Sequence, residues 1–231
     1  MRYVMLMASA IVLLLSNALA ARADETVSIG GSNAVLLRLL APRASIILMP
    51  GGDGYIAAGP GGTIGKLKGN QLVRTRNAYL ARGLAVLVVN ADVNLARAVD
   101  YMAAIKRPVT VVATSKGTLR AAYGIAGGAK PDALVMTSGF LTDGSGSRQN
   151  VANILGSPKL LPRTLVIAHR RDSCRFTLPA GVDPFIRWAD GKASVKWLDG
   201  GMNSGDPCQA RAYHGFNGLD GEVVSAAAVF H

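Results

Sequence analysis

The run Ala113-Thr114-Ser115-Lys116-Gly117 sets a serine between small residues at 113 and 117. That spacing suits a sharp strand-to-helix turn, in which larger side chains at those two positions would collide. The turn holds the Ser115 hydroxyl clear of the backbone at a helix N-terminus, where the dipole and free N–H groups favour negative charge. Ser115 is the candidate nucleophile, and an N-cap serine on an ordinary turn is the plainer reading of the same residues. A serine needs a base, and the chain contains three histidines. His231 is the terminal residue, where chains fray. His169 lies close before Asp172 and reads as a structural residue at a strand end. His214 follows the last expected strand and is the candidate general base. Asp92, Asp143 and Asp172 each follow a strand and could orient an imidazole. Asp172 is preferred because a strand and a helix separate it from His214, in the chain order Ser, Asp, His.

An acyl-transfer site also needs donors for the oxygen that becomes negative. Pro50-Gly51-Gly52-Asp53-Gly54 closes another apolar run, and a glycine-rich segment lets backbone N–H groups approach a substrate oxygen. Gly51 and Gly52, with the N–H of Lys116, are the candidate oxyanion hole. A flexible surface loop is the alternative. A phosphate loop is disfavoured, because no Gly-Lys-Ser/Thr follows at the required spacing.

The elements that must position these groups are legible as alternating runs. Residues 26–30 and 33–41 suggest a hairpin. Ala44 to Met49, Leu84 to Val89, Val109 to Ala113, Ala133 to Thr137, Thr164 to Ala168 and Ser194 to Leu198 read as strands. Helical spacing covers 71–82, 94–106, 117–126, about 148–155, about 182–190 and about 220–229. Near-continuous Val/Ile/Leu strands separated by helices imply an α/β fold, with a mostly parallel central sheet and helices on both faces. Reactive groups in such sheets gather at the carboxyl ends of the strands.

Residues 1–23 have the form of a secretory signal peptide. Arg2 is followed by the apolar stretch Val4 to Leu15, then by small residues at Ala18-Leu19-Ala20 and Ala21-Arg22-Ala23. The apolar stretch is short for a membrane span, so removal is expected, with no stable membrane insertion and a periplasmic or secreted protein of one domain over 24–231. The 25 basic and 14 acidic residues give a net charge of +11, which loss of Arg2 and Arg22 lowers by two. The basic residues are scattered rather than clustered, which argues against nucleic acid as the partner. Two cysteines in an exported chain suggest a disulfide. Cys174 stands just after Asp172 and Cys208 just before His214, so a bridge would tie the acid loop to the histidine loop.

With the Ala-Thr-Ser-Lys-Gly elbow, the Pro-Gly-Gly-Asp-Gly segment, Asp172 and Tyr213-His214-Gly215, the chain resembles the α/β-hydrolase family over about residues 40–231. In length it is similar to small members such as dienelactone hydrolases and cutinase-like esterases. Ala113 stands where the elbow usually opens with glycine, and no histidine precedes the oxyanion glycines. The segment 141–163 is too short for a large lid domain. The resemblance implies nucleophilic acyl transfer without cofactor or metal, on a small-molecule or polymer ester. Ser115 would attack, His214 would take its proton, Asp172 would fix the imidazole tautomer, and Gly51 or Gly52 with Lys116 would hold the oxyanion. A peptidase, amidase or thioesterase would use the same residues, and a catalytically silent binding protein would keep the fold alone.

Overall fold

The computed structural model describes residues 24–231. The expected leader at 1–23 lies outside the described residues. The described residues open with the hairpin β1 (Glu25–Ile29) and β2 (Ser32–Leu37), turned at Gly30 and Gly31, both at positive φ. Then follow β3 (Ala44–Met49), the short strands β4 (Ala58–Gly59) and β5 (Thr63–Ile64), and helices α1 (Gln71–Arg74) and α2 (Arg76–Leu80). From there strands and helices alternate: β6 (Leu84–Val89), α3 (Leu95–Ile105), β7 (Val109–Thr114), α4 (Lys116–Ala126), β8 (Ala133–Thr137) and α5 (Val151–Leu155). The chain ends with β9 (Arg163–His169), α6 (Val182–Trp188), β10 (Ala193–Leu198) and α7 (Asp220–Ala227).

Eight strands form one sheet in the order β1-β2-β6-β3-β7-β8-β9-β10. Pairing is antiparallel from β1 through β2 to β6 and parallel from β6 to β10. The two-residue period of each strand sends side chains to both faces. In β3, Ile46 and Leu48 join Leu72, Tyr79, Val223 and Val224 beneath α1, α2 and α7, whereas Ile47 and Met49 join Val99, Met102, Ala121 and Phe185 beneath α3, α4 and α6. Both faces are covered, which is why the parallel strands carry no polar stripe.

Three local expectations are modified. The helix expected over 71–82 is two helices broken at Thr75, whose hydroxyl donates to the Gln71 carbonyl at 2.7 Å beside its own N–H at 3.1 Å. The stretch between β3 and α1 contains the small β4–β5 hairpin, which no apolar alternation announced. The last helix stops at Ala227, and the Arg43 guanidinium takes the Ala228 carbonyl at 2.8 Å.

Candidate active site

Because β3, β7, β8, β9 and β10 run parallel, their carboxyl ends share one edge of the sheet. β7 ends at Thr114, and Ser115 follows with φ 53° and ψ −127°, a left-handed conformation that a non-glycine residue holds only where its surroundings impose it. The Ser115 N–H donates to the Thr137 carbonyl of β8 at 3.0 Å. The Ser115 carbonyl accepts from the Thr118 N–H at 2.9 Å and the Thr118 hydroxyl at 2.7 Å. The small flanking residues have a clear steric cause. A Cβ at Gly117 would strike the Met49 carbonyl oxygen and lie 2.9 Å from the Pro50 oxygen. A Cβ at Gly51 would lie 2.9 Å from the Ser115 Cβ.

Arg120, on the helix that follows the elbow, grips the glycine loop from behind. Its guanidinium donates to the carbonyls of Pro50 and, at 3.3 Å, Gly52. Burial lowers the Arg120 pKa from its ordinary value, and the charge of Asp53 opposes that shift. With those carbonyls engaged on the helix side, the Gly51 and Gly52 N–H groups have no protein acceptor among the described residues. The Lys116 N–H opens α4, where helix N–H groups lack partners within the helix.

β9 ends at His169, and a turn follows that buries Asp172. Asp172 Oδ1 accepts from the Cys174 N–H at 2.9 Å, and Oδ2 accepts from the Thr177 hydroxyl at 3.0 Å. His214, buried in the 3-10 turn Tyr213–Gly215, places Nδ1 3.2 Å from Asp172 Oδ2. The His214 carbonyl accepts from the buried Ser138 hydroxyl at 2.7 Å, which ties the histidine loop to the end of β8. Cys174 and Cys208 form a disulfide with Cα atoms 4.6 Å apart, joining the acid turn to the histidine loop.

The other candidates are occupied elsewhere. Asp92 accepts from the Ser32 hydroxyl at 2.8 Å, and Asp143 accepts from the amides of Asn150 and Asn153. His169 is engaged by backbone partners. Its Nδ1 accepts from the Arg171 N–H at 3.1 Å, so the ring proton sits on Nε2 and donates to the Gly200 carbonyl at 3.1 Å. Its ring stacks on Tyr213 at 4.4 Å, the residue before His214.

Ser115, His214, Gly51, Gly52 and Lys116 line one cleft of about 380 Å³, whose walls also include Phe140, Phe176 and the disulfide. Asp172 lies behind His214, outside that lining. Among the described residues Ser115 Oγ makes no hydrogen bond to His214, whose Nδ1 faces Asp172. Sequence reasoning missed Arg120, Ser138 and Thr177. Ser138, just past a strand end, carried a weak signal; Arg120 and Thr177 carried none.

At the level of sequence, no protein-family model and no curated protein matches the chain. The backbone is similar to many solved structures. An esterase from Pyrococcus furiosus superposes with a TM-score of 0.62 at 13% identity, over 91% of this chain and 89% of that one. A dienelactone hydrolase from Anabaena variabilis gives 0.58 at 12% identity, over 90% and 95%. A protein from Xanthomonas campestris described as an α/β serine hydrolase without lid gives 0.59 at 13% identity, over 91% and 97%. The chain has the α/β-hydrolase fold. Between β8 and β9 it carries only α5 and two single 3-10 turns, so no lid domain rises there.

Proposed function

We propose that this protein is an exported serine hydrolase that cleaves an ester-type acyl bond through an acyl-enzyme. The observation that carries the reading is convergence on one cleft: a serine on a strained elbow, an imidazole backed by a buried carboxylate, and N–H groups without protein acceptors on the glycine loop and at the start of α4. His214 Nδ1 faces the buried Asp172 carboxylate, which leaves Nε2 to take the Ser115 proton as Oγ attacks the carbonyl carbon. The oxygen of the tetrahedral intermediate is held by the N–H groups of Lys116 and of Gly51 or Gly52. The imidazolium returns its proton to the departing alcohol. Water, deprotonated by the same ring, then releases the acid and restores Ser115.

Export is supported by the form of residues 1–23 and by the Cys174–Cys208 bond, which persists in oxidising compartments. No helix among the described residues is long and apolar enough to cross a membrane. Phe140 and Phe176, stacked at 5.9 Å, offer an apolar wall to the substrate, and Lys116 is the one Lys or Arg in the cleft lining.

The test is labelling by a fluorophosphonate together with hydrolysis of p-nitrophenyl acetate. Native protein should be labelled at Ser115, and Ser115→Ala should lose about a thousandfold or more in kcat with its melting temperature unchanged. Turnover that survives Ser115→Ala would sink the proposal.

A further inference from the structure

We infer that Thr177 is a positioning residue that keeps His214 in its proton-accepting tautomer, through a hydroxyl set between the imidazole and Asp172. The inference rests on the proposed roles of Ser115, His214 and Asp172.

Three atoms form a closed triangle. Thr177 Oγ1 lies 2.9 Å from His214 Nδ1 and 3.0 Å from Asp172 Oδ2, and the direct Nδ1 to Oδ2 separation is 3.2 Å. The contact between ring and carboxylate is the longest side, so the hydroxyl is at least as close a partner of the ring as the acid is. All three residues are buried. Water is therefore a poor substitute for any partner that is lost.

Proton counting assigns the roles. An ionised carboxylate only accepts; a hydroxyl has one proton and two lone pairs. With a proton on Nδ1, the ring donates into the gap shared by Oδ2 and Oγ1, and the hydroxyl proton goes to Oδ2. Every donor then has an acceptor. With Nδ1 bare, the hydroxyl could turn to it, but the Nδ1 lone pair would face Oδ2 with no proton between them. Oδ2 would lose both donors in a buried site, which is costly. The triangle thus selects Nδ1–H and leaves Nε2 free to accept from Ser115. Once the ring is charged, the hydroxyl oxygen and the carboxylate both face its Nδ1–H.

The backbone holds the hydroxyl in place. The Thr177 N–H donates to the Cys174 carbonyl at 3.0 Å, while the Cys174 N–H donates to Asp172 Oδ1. One turn therefore supplies both the carboxylate and the hydroxyl, and the disulfide at Cys174 pins that turn to the loop carrying His214.

Thr177→Val removes the hydroxyl and keeps the shape; Thr177→Ser keeps the hydroxyl. With p-nitrophenyl acetate, Thr177→Val should lower kcat about tenfold, the worth of one such bond, with KM unchanged, and Thr177→Ser should recover most of the loss. In proton NMR the downfield Nδ1–H resonance, assigned by its disappearance in His214→Gln, should move in Thr177→Val and stay in Thr177→Ser. A serine variant no better than valine would reassign Thr177 to packing and overturn the inference. An unmoved resonance in Thr177→Val would overturn it as well. Turnover that survives Ser115→Ala would instead overturn the hydrolase reading, while the resonance still tests the bond between Thr177 and His214.

Discussion

On the Ser115 side of the cleft the candidate catalytic atoms stand at strand ends and in the first turn of a helix. On the His214 side they stand on irregular chain between β9 and α6 and between β10 and α7. The first side is held by sterics and backbone bonds. Gly51 and Gly117 admit close backbone approach, Thr137 takes the Ser115 N–H, and Arg120 takes the carbonyls of Pro50 and Gly52 in the glycine loop. The second side has little backbone regularity to lean on. It is held by a disulfide, by side-chain bonds through Asp172, Thr177 and Ser138, and by the stack of His169 on Tyr213. A regular framework positions a side chain by many small constraints, whereas irregular loops concentrate the task in a few side chains.

The contrast can be broken most strongly at the disulfide. Its sequence separation of 34 residues places the loop-closure contribution at about 3–4 kcal/mol. Reduction should lower the melting temperature and slow fluorophosphonate labelling of Ser115, because the His214 loop loosens while the elbow stays formed. Unchanged labelling in the reduced protein would show that the loop holds itself.

Gly117→Val attacks the other side. The added atoms meet the Met49 and Pro50 carbonyls, which belong to backbone and yield poorly, so a loss of about 3 kcal/mol in urea unfolding is expected. Activity should vanish even where the protein remains folded. A smaller effect is expected from Arg120→Met, which frees the carbonyls of Pro50 and Gly52. kcat should fall about tenfold with KM nearly constant, and a boronic-acid analogue of the transition state should bind about tenfold more weakly. Equal losses for the analogue and for a substrate-like ligand would argue against a role in the oxyanion hole.

The smallest effect lies at the outer rim of the histidine side. The Gly200 N–H, and after it the Arg171 guanidinium, hold the exposed Asp199 carboxyl below its ordinary pKa. A depressed carboxyl contributes stability that is present above its unfolded value and is lost as pH falls through the folded one. Asp199→Asn should therefore narrow the difference in urea midpoint between neutral and acid pH. An unaltered difference would mean that neither the Gly200 N–H nor Arg171 supports the loop through this carboxylate.

The legibility of the site divides along the same line. Ser115, Gly117 and the glycine loop could be read locally, because an elbow is a short-range steric pattern with a strand before it and a helix after it. His214 and Asp172 could be chosen by order and by the scarcity of histidines, and the two cysteines beside them pointed to the same pair. The break at Thr75 was not legible, since threonine fits a helical period and its hydroxyl meets the Gln71 carbonyl only once the turn has formed. Thr177 and Arg120 were also beyond reach, because their importance depends on which distant groups they meet.

By itself, then, the sequence determined the alternation of buried strands and covering helices, and the residue types able to do acyl chemistry, because apolar periodicity and steric tolerance are local properties. The tertiary structure brought Asp172 against the His214 imidazole, gave His169 backbone partners elsewhere, and set a threonine hydroxyl between carboxylate and ring. Those outcomes depend on the order of strands in the sheet and on loops that meet only after the sheet has formed. A sequence of 231 residues carries no direct record of such long-range contacts.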